Sequence, residues 1–571
     1  MPQYFLPGMP KALGYPRAAT PGILISAART YRHRTAVVDG EEQLSYQELH
    51  DNAKATAATL RAAGIGRDSV VGLHLPNGLH FLTAYYGALL TGAAVTLVNP
   101  LLPKRSLVRQ LRGIGVDAVI THPAHMSTIV AAETELALSL VIVVPDSWAA
   151  KADDDQLRRA AELTRRAPYR SLADVLAEPA PDFIPTVPDA DQVAHYAFTG
   201  GTTGESKAVR VLHKNLIANI TQMTAWRLNS IVKRNVDGVL CLEPIEQLGP
   251  PYVQSGRSSA LQVSPLFHAQ GLTNMGMFVL GGITIVLSGR FSPESFVELA
   301  KRWGVVYCSG NPPMYLALAA HCAKTGETMP SIRMAVSGAA PLDSTAVDRI
   351  GKAMPNAVIG EGYGLTEATC MVCSTPFQRG SDPKVGSVGV PVPDTEVEIR
   401  ALDGKTILQD GEEGELWVRG PQVTDGYSNA AEQTAAQFVD GWLCTGDIAS
   451  RSPDGYVRIH DRAKDMLIYK GYNVYPRELE GIAAAHPGVA QVAVVGRAFG
   501  DAGEVPVAFV VLRAGAALSS DALIDWVADQ VLPYQKIREV HFVDELPTSA
   551  AGKILKTDLR SRLDDQGLTL C

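Results

Sequence analysis

The chain has 571 residues, of which 46% are hydrophobic and 19% charged, with a formal net charge of -8. That length exceeds what a single hydrophobic core organises, so at least two domains are expected. The acidic balance argues against a broad basic face for nucleic acid. The longest apolar stretch, "MGMFVLGGITIVLSG" from Met275, is too short and too glycine-broken to span a bilayer.

The N-terminal residues "MPQYFLPGMPKALGYPRAAT" lack a basic start followed by an apolar core. No secretory signal is expected, and the expected address is the cytosol. The "GLTLC" end carries no peroxisomal, retention or prenylation signal. "YQELHDNAKATAATLRAAG" reads as a helix. "VVGLHL" (70–75), "AVTLVNP" (94–100), "DAVITH" (117–122) and "LVIVVP" (140–145) read as strands buried on both faces. The alternation of such runs with helices argues for α/β layers. Residues 146–170 form a charged helical excursion with a solvated face. The Pro/Gly/Ser-rich segment 243–262 is expected to be a long loop, placed as a lid ahead of a substrate pocket. Cys370-x-x-Cys373 is a lone pair, read as two buried thiols on one helical face rather than a zinc site. From 393 to 460, short strands separated by Asp-Gly and Gly-Glu turns indicate a small β subdomain. The remainder alternates helix and strand again over about 110 residues, a normal domain size. The expected fold class is therefore α/β. It comprises a large N-terminal domain (1–461) of layered parallel-type sheets and helices with a small β subdomain. A small mobile α+β C-terminal domain (462–571) follows.

Chemistry first shows in "YAFTGGTTGESKAVRVLHKN" (196–215). Glycines let backbone N–H groups approach an anion, hydroxyls donate, and a lysine adds charge, so the loop suits phosphate. It is not the common P-loop, because Glu205 and Ser206 separate Gly204 from Lys207.

Further motifs follow in order: "LSYQEL" (44–49), "GAAVTLVNP" (92–100), "PLFHAQGL" (265–272), "SGAAPL" (337–342) and "GEGYGLTEA" (360–368). "GELWVRGPQV" (414–423), "GWLCTGD" (441–447), "HDRAKDMLIYKGYNVYPRELE" (460–480) and "PTSAAGK" (547–553) complete the set. Together with "FTGGTTGESK" they resemble the adenylate-forming superfamily over nearly the whole chain, most like its medium- and long-chain fatty acyl-CoA synthetases. The resemblance implies activation of a carboxylic acid with ATP to acyl-AMP, then transfer of the acyl group to CoA. It implies that Thr199, Gly200, Gly201, Thr202, Thr203, Gly204 and Lys207 cradle the ATP phosphates. Glu367 would hold Mg²⁺, and Thr366 would meet the α-phosphate. Tyr363 would pack on the adenine with Gly362 and Gly364 beside it, and Gly338, Ala339 and Ala340 opposite. Asp447 and Arg462 would hold the ribose of ATP or AMP. Lys553 would serve adenylation, Lys464 would be the hinge, Gly471 would border the CoA arm, and His268 would gate the acyl pocket.

Two departures bear on the phosphate loop. Ser206 stands where the family usually has Pro, and Ala208 where it has Gly. A looser turn and an added methyl are expected to weaken adenylation while sparing thioester transfer. The pocket-side stretches "SGNPPMYLALAA" and "VSGAAPL" offer no acid for an α-amino group, so a hydrophobic carboxylic acid is the expected substrate. The alternatives are a ligase fed by an upstream adenylating enzyme, transfer to a carrier protein, and a silent acyl-adenylate-binding protein.

Overall fold

The computed structural model describes residues 6–10, 12–199, 206–338, 341–378, 381, 383–470, 472–500, 503–548 and 554–565. Two mostly parallel sheets form the larger part. One has seven strands in the order Tyr169–Ser171, Leu140–Val143, Ala118–Thr121, Val70–His74, Ala94–Leu97, Val193–Phe198 and Ala208–Leu212. All pair in parallel except the last, which runs antiparallel to its neighbour. The other has nine strands, with a parallel centre made of Thr35–Asp39, Thr284–Leu287, Ser259–Gln262, Tyr307–Gly310, Met334–Ser337 and Val358–Gly364. The apolar runs become strands because both faces of each sheet are covered. Every residue of Val70–His74 and of Leu140–Val143 is buried. The helix Leu79–Leu90 is buried on all sides and packs against strands of both sheets.

Local chemistry sets the element ends. In "LSYQEL", Ser45 Oγ accepts from the Glu48 N–H and Glu48 Oε2 accepts from the Ser45 N–H, a capping box that starts Tyr46–Ala62. The charged excursion is the helix Asp154–Leu163, in which only Ala160 is buried.

The 243–262 segment is not a lid. Its last four residues are the central strand Ser259–Gln262, and Val253 and Leu248 are buried. The Gly256 N–H donates to the Gly281 carbonyl, at the C-terminal end of the helix Ala269–Leu280, whose N-terminal end carries His268. A twelve-residue helix, about 18 Å long, separates the two. The apolar residues among the prolines and glycines pin this segment down.

The strands Glu396–Arg400, Gly414–Arg419, Trp442–Arg451, Phe438–Val439 and Val457–Arg462 make the expected small β sheet. The last of these runs through the 461/462 boundary and pairs Arg462 with Asp447. Beyond it, Val489–Ala498, Glu504–Leu512 and Glu539–Phe542 form a three-stranded sheet. Its alternating side chains build separate apolar clusters, Val492 and Val494 with Leu479 and Leu523 in one, Ala493 and Val495 with Leu559 in the other. Among the described residues, no helix is long and apolar enough to cross a membrane.

Burial depresses His74 and His195 to about 3 and His80, His122 and His213 to about 4. The unfolded chain takes up these protons near the ordinary value of 6.5. It therefore binds more protons than the folded chain between about 3 and 6.5. The stability held by neutral histidines is complete above pH 6.5 and is lost as pH falls through that window. Thermal melts should shift downward from pH 7 to 4.5. His80→Leu, which removes a buried ring with neither nitrogen bonded, should flatten that shift.

Candidate active site

The site gathers where parallel strands end, as is general for open α/β sheets. The strand Val193–Phe198 ends at the Gly/Thr loop, and the chain returns as Ala208–Leu212, with Phe198 paired to Ala208. The loop is thus a hairpin tip. Its mouth is closed by the Thr199 N–H donating to the Lys207 carbonyl at 3.0 Å and by Ser206 Oγ donating to the Thr199 carbonyl at 2.6 Å. Gly200, Gly201, Thr202, Thr203 and Gly204 lie outside the described residues.

At the base of the loop the described backbone accommodates both departures. Ser206 replaces a ring constraint by a hydrogen bond. Ala208 is in extended backbone with no positive φ, paired with Phe198 on one side and accepting from the Ser428 N–H at 2.8 Å on the other. Strand pairing on both sides leaves no left-handed conformation for a glycine to serve.

Lys207 Nζ stands 4.6 Å from the ring centroid of Tyr427. The Tyr427 hydroxyl donates to Glu367 Oε1 at 2.7 Å and lies 2.7 Å from the Gln437 side-chain amide. One hydroxyl has one proton, so Gln437 presents its NH₂ group to the Tyr427 oxygen. The backbone stitches the same parts together. The Arg210 N–H donates to the Gly426 carbonyl, and the Thr424 N–H to the Glu367 carbonyl. Tyr427 went unnoticed in the sequence. Its one signal there is an aromatic residue inside the polar run "DGYSN", which says nothing of a partner sixty positions earlier.

Glu367 and Thr366 lie in the short 3-10 helix Thr366–Ala368, which follows the strand Val358–Gly364. The chain then reverses through Thr369, at φ 62°, so that Met371–Ser374 pairs antiparallel with 362–364. This hairpin corrects the helical-face reading of the two cysteines. Cys373 is a buried strand residue and Cys370 precedes the strand, half buried. Burial raises both thiols, Cys370 to about 11. The hairpin also explains Gly364, because a Cβ there would overlap the Cys370 carbonyl. Gly364→Ala should lower the melting temperature by several degrees and reduce soluble yield. An unchanged melt would show that the hairpin opens freely. Gly362 and Gly338 are roomier, with additions meeting neighbours no closer than 3.6 Å. The Gly338 N–H donates to the Gly310 carbonyl. Ala339 and Ala340 lie outside the described residues.

On the other flank, the Tyr363 hydroxyl donates to Asp447 Oδ2, and Arg462 Nε pairs with Asp447 Oδ1 at 2.6 Å. Asp447 is buried and Arg462 is partly open. Burial works against the Arg462 charge, but Asp447, Tyr363, Glu367 and Asp465 outweigh it and raise its pKa. Beneath, buried Glu361 accepts N–H bonds from Leu342 and Gly386, both at 3.2 Å, which anchors the chain at Leu342. Burial lifts its carboxyl to about 7, against the pull of those two bonds. Within "GEGYGLTEA" no local signal marks Glu361 as an anchor.

His268 precedes the helix Ala269–Leu280, half buried, its ring 4.7 Å from that of Phe267. Burial lowers its pKa and favours the neutral ring. Lys464 is exposed in the turn 463–465 after Arg462. Gly471 and Lys553 lie outside the described residues. The loop that holds Lys553 is closed at its base by a bridge between Thr548 and Ile554.

Among the described residues, no group of three or more His, Cys, Asp or Glu side chains is arranged to hold a metal ion. Glu367 has one oxygen taken by Tyr427 and a second that no described residue bonds. A single hard oxygen fits a small divalent cation carried mainly by phosphates rather than by a protein cage.

A family model for AMP-binding enzymes matches residues 24–428, and one for the AMP-binding enzyme C-terminal domain matches residues 478–553. The chain is similar to 4-coumarate–CoA ligase 5 of Oryza sativa subsp. japonica, 32% identical over 93% of this chain and 92% of that protein. It is also similar to 4-coumarate-CoA ligase 2 of Narcissus pseudonarcissus, 33% identical over 91% of this chain and 87% of that protein. ATP-bound MatB from Rhodopseudomonas palustris, 24% identical, shares the fold with a TM-score of 0.81 over 96% of this chain and 99% of that chain. The two ligases are named for 4-coumarate. The two models match in chain order across the strand ends described above, and the chain belongs to the AMP-binding enzyme family.

Proposed function

We propose that this chain is an AMP-forming acid–CoA ligase that activates an aryl or similarly hydrophobic carboxylic acid. The observation that carries the reading is the pair of side-chain clusters flanking one strand end. Lys207, Tyr427 and Glu367 lie on one side, and Tyr363, Asp447 and Arg462 on the other. ATP would lie between them. Asp447 and Arg462 meet the ribose, Tyr363 and the Gly338 turn flank the adenine, and Thr366 and the Thr199–Lys207 hairpin take the phosphates. Mg²⁺ with the ATP would be held by the free oxygen of Glu367 and would neutralise phosphate charge. A carboxylate oxygen of the acid attacks the α-phosphorus as the bond to pyrophosphate breaks. The CoA sulfur then attacks the acyl carbon and AMP leaves. Both steps crowd anions, so positioned cations and donors supply most of the catalysis.

Lys553 would neutralise the reacting carboxylate and α-phosphate in the first step. The C-terminal unit would pivot at Lys464 before the second, bringing Gly471 to the CoA arm, with His268 at the acyl pocket. Support for the pivot comes from the separate apolar clusters beyond residue 466 and from the exposed turn at Lys464. The relatives named for 4-coumarate favour an aryl acid over a fatty acid. The test follows pyrophosphate release with ATP and Mg²⁺ across benzoate, cinnamate, 4-coumarate and C8 to C16 fatty acids. CoA thioester is then read by mass spectrometry. Release without any thioester product excludes CoA as acceptor. No release with any acid, in a folded preparation, rejects the ligase reading.

A further inference from the structure

Arg227 lies in the last turn of the helix His213–Leu228 and is 4% exposed. Its Nη1 donates to Asn274 Oδ1 at 2.7 Å, its Nη2 lies 3.6 Å from Met371 Sδ, and its guanidinium carbon lies 5.4 Å from the Tyr307 ring centroid. Its Nε is buried without a partner. Every one of these neighbours is neutral, and among the described residues Arg227 forms no ion pair. A guanidinium taken out of water without an anion is strongly unfavourable, and the hydrogen bond to Asn274 and the Tyr307 ring offset only part of that cost.

Its surroundings belong to the elements that carry the site. Asn274 sits on the helix that follows His268, about 9 Å further along the axis. Asn274 also donates to Ser309 Oγ at 3.1 Å, at the end of the strand Tyr307–Gly310. Met371 and Cys370 follow Glu367 through the hairpin turn. Phe267, His268, Gln270 and Cys370 are all only half buried. Cys370 is also near enough to Arg227 for that charge to pull its thiol pKa down against burial. Half-open Cys370 therefore lies beside Arg227, at the end of the hairpin turn that carries Glu367.

The geometry points to Arg227, with Asn274, as the receptor for a second, anionic group of the acid substrate, best a carboxylate, at the far side of the acid from its reacting carboxylate. This assignment rests on the ligase reading above and narrows its substrate class. A bidentate guanidinium–carboxylate pair would satisfy the free Nε and neutralise the charge in one step. The reacting carboxylate stays at the His268 end, so the two acids of one molecule are told apart by depth.

The experiment compares matched acids that differ only at the far end: cinnamate with 4-carboxycinnamate, and octanoate with octanedioate. It uses the full chain with ATP and Mg²⁺ and reads kcat/KM for pyrophosphate release. The wild type should prefer the diacid of at least one pair by tenfold or more. In Arg227→Met that ratio should fall to one or below, because an acid would then be buried against a thioether. Thermal melts run alongside. The Met variant should melt no lower than the wild type, since an unpaired charge has been removed. If that variant does not fold, the wild-type ratios decide alone. Equal or lower rates for both diacids overturn the assignment, as does a preference that survives in Arg227→Met. No release from any of the four acids, or from the aryl and fatty acids above, rejects the ligase reading and this assignment with it. Release from those other acids, with none from the diacids, overturns this assignment only.

Discussion

Asp447→Ala should lower kcat/KM for ATP in pyrophosphate release about a hundredfold, with most of the loss in KM. The substitution takes from the Arg462 guanidinium its Asp447 partner and from the Tyr363 hydroxyl its Asp447 acceptor, both beside the proposed nucleotide position. Removing the buried member of a hydrogen-bonded charge pair costs about 3 kcal/mol, which corresponds to that factor. The same carboxylate would also be lost to the ribose. Tyr363→Phe removes only one of the two contacts and should cost about tenfold. The double variant should be little worse than Asp447→Ala, because both act through one group. An Asp447→Ala enzyme with unchanged KM for ATP would place the nucleotide elsewhere.

Tyr427 should show a graded effect of similar size. Tyr427→Phe keeps the ring under Lys207 but removes the donor to Glu367, at about 1.5 kcal/mol, roughly tenfold. Tyr427→Leu also removes the cation–π contact and should cost about a hundredfold in all. The Mg²⁺ concentration at half-maximal rate should rise in both, because Glu367 loses the bond that holds its carboxylate in place. Thioester formation from supplied acyl-AMP and CoA should change less than twofold, since no pyrophosphate leaves in that step. A binding readout separates positioning from a general disturbance. Mn²⁺ titrated with α,β-methylene-ATP and followed by electron paramagnetic resonance should bind several-fold more weakly in Tyr427→Phe. Mn²⁺ binding and Mg²⁺ dependence identical to wild type would leave Tyr427 a packing residue.

The sequence by itself determined the strands and the order of the motifs. "VVGLHL" and "LVIVVP" are legible because a strand covered on both faces must be apolar at every position, a local requirement. The hairpin sheet after residue 393 is local in the same sense. Local patterns failed where distant chain fixes the conformation. The proline and glycine content of 243–262 predicted a lid, but Val253, Leu248 and a central strand tie it to the core. Ala208 resembled a misplaced methyl until its two strand neighbours, Phe198 and the 426–428 segment, showed extended backbone. Cys370 and Cys373 share no helix because a turn at Thr369 doubles the chain back.

Only the tertiary structure decided which side chains meet. Tyr427 reaches Glu367, Tyr363 reaches Asp447, and Arg227 stands charged among Asn274, Met371 and Tyr307. Periodicity reports which face of one element is buried. It carries no information on sheet order and register, and these set which strand ends lie within hydrogen-bond reach of one another.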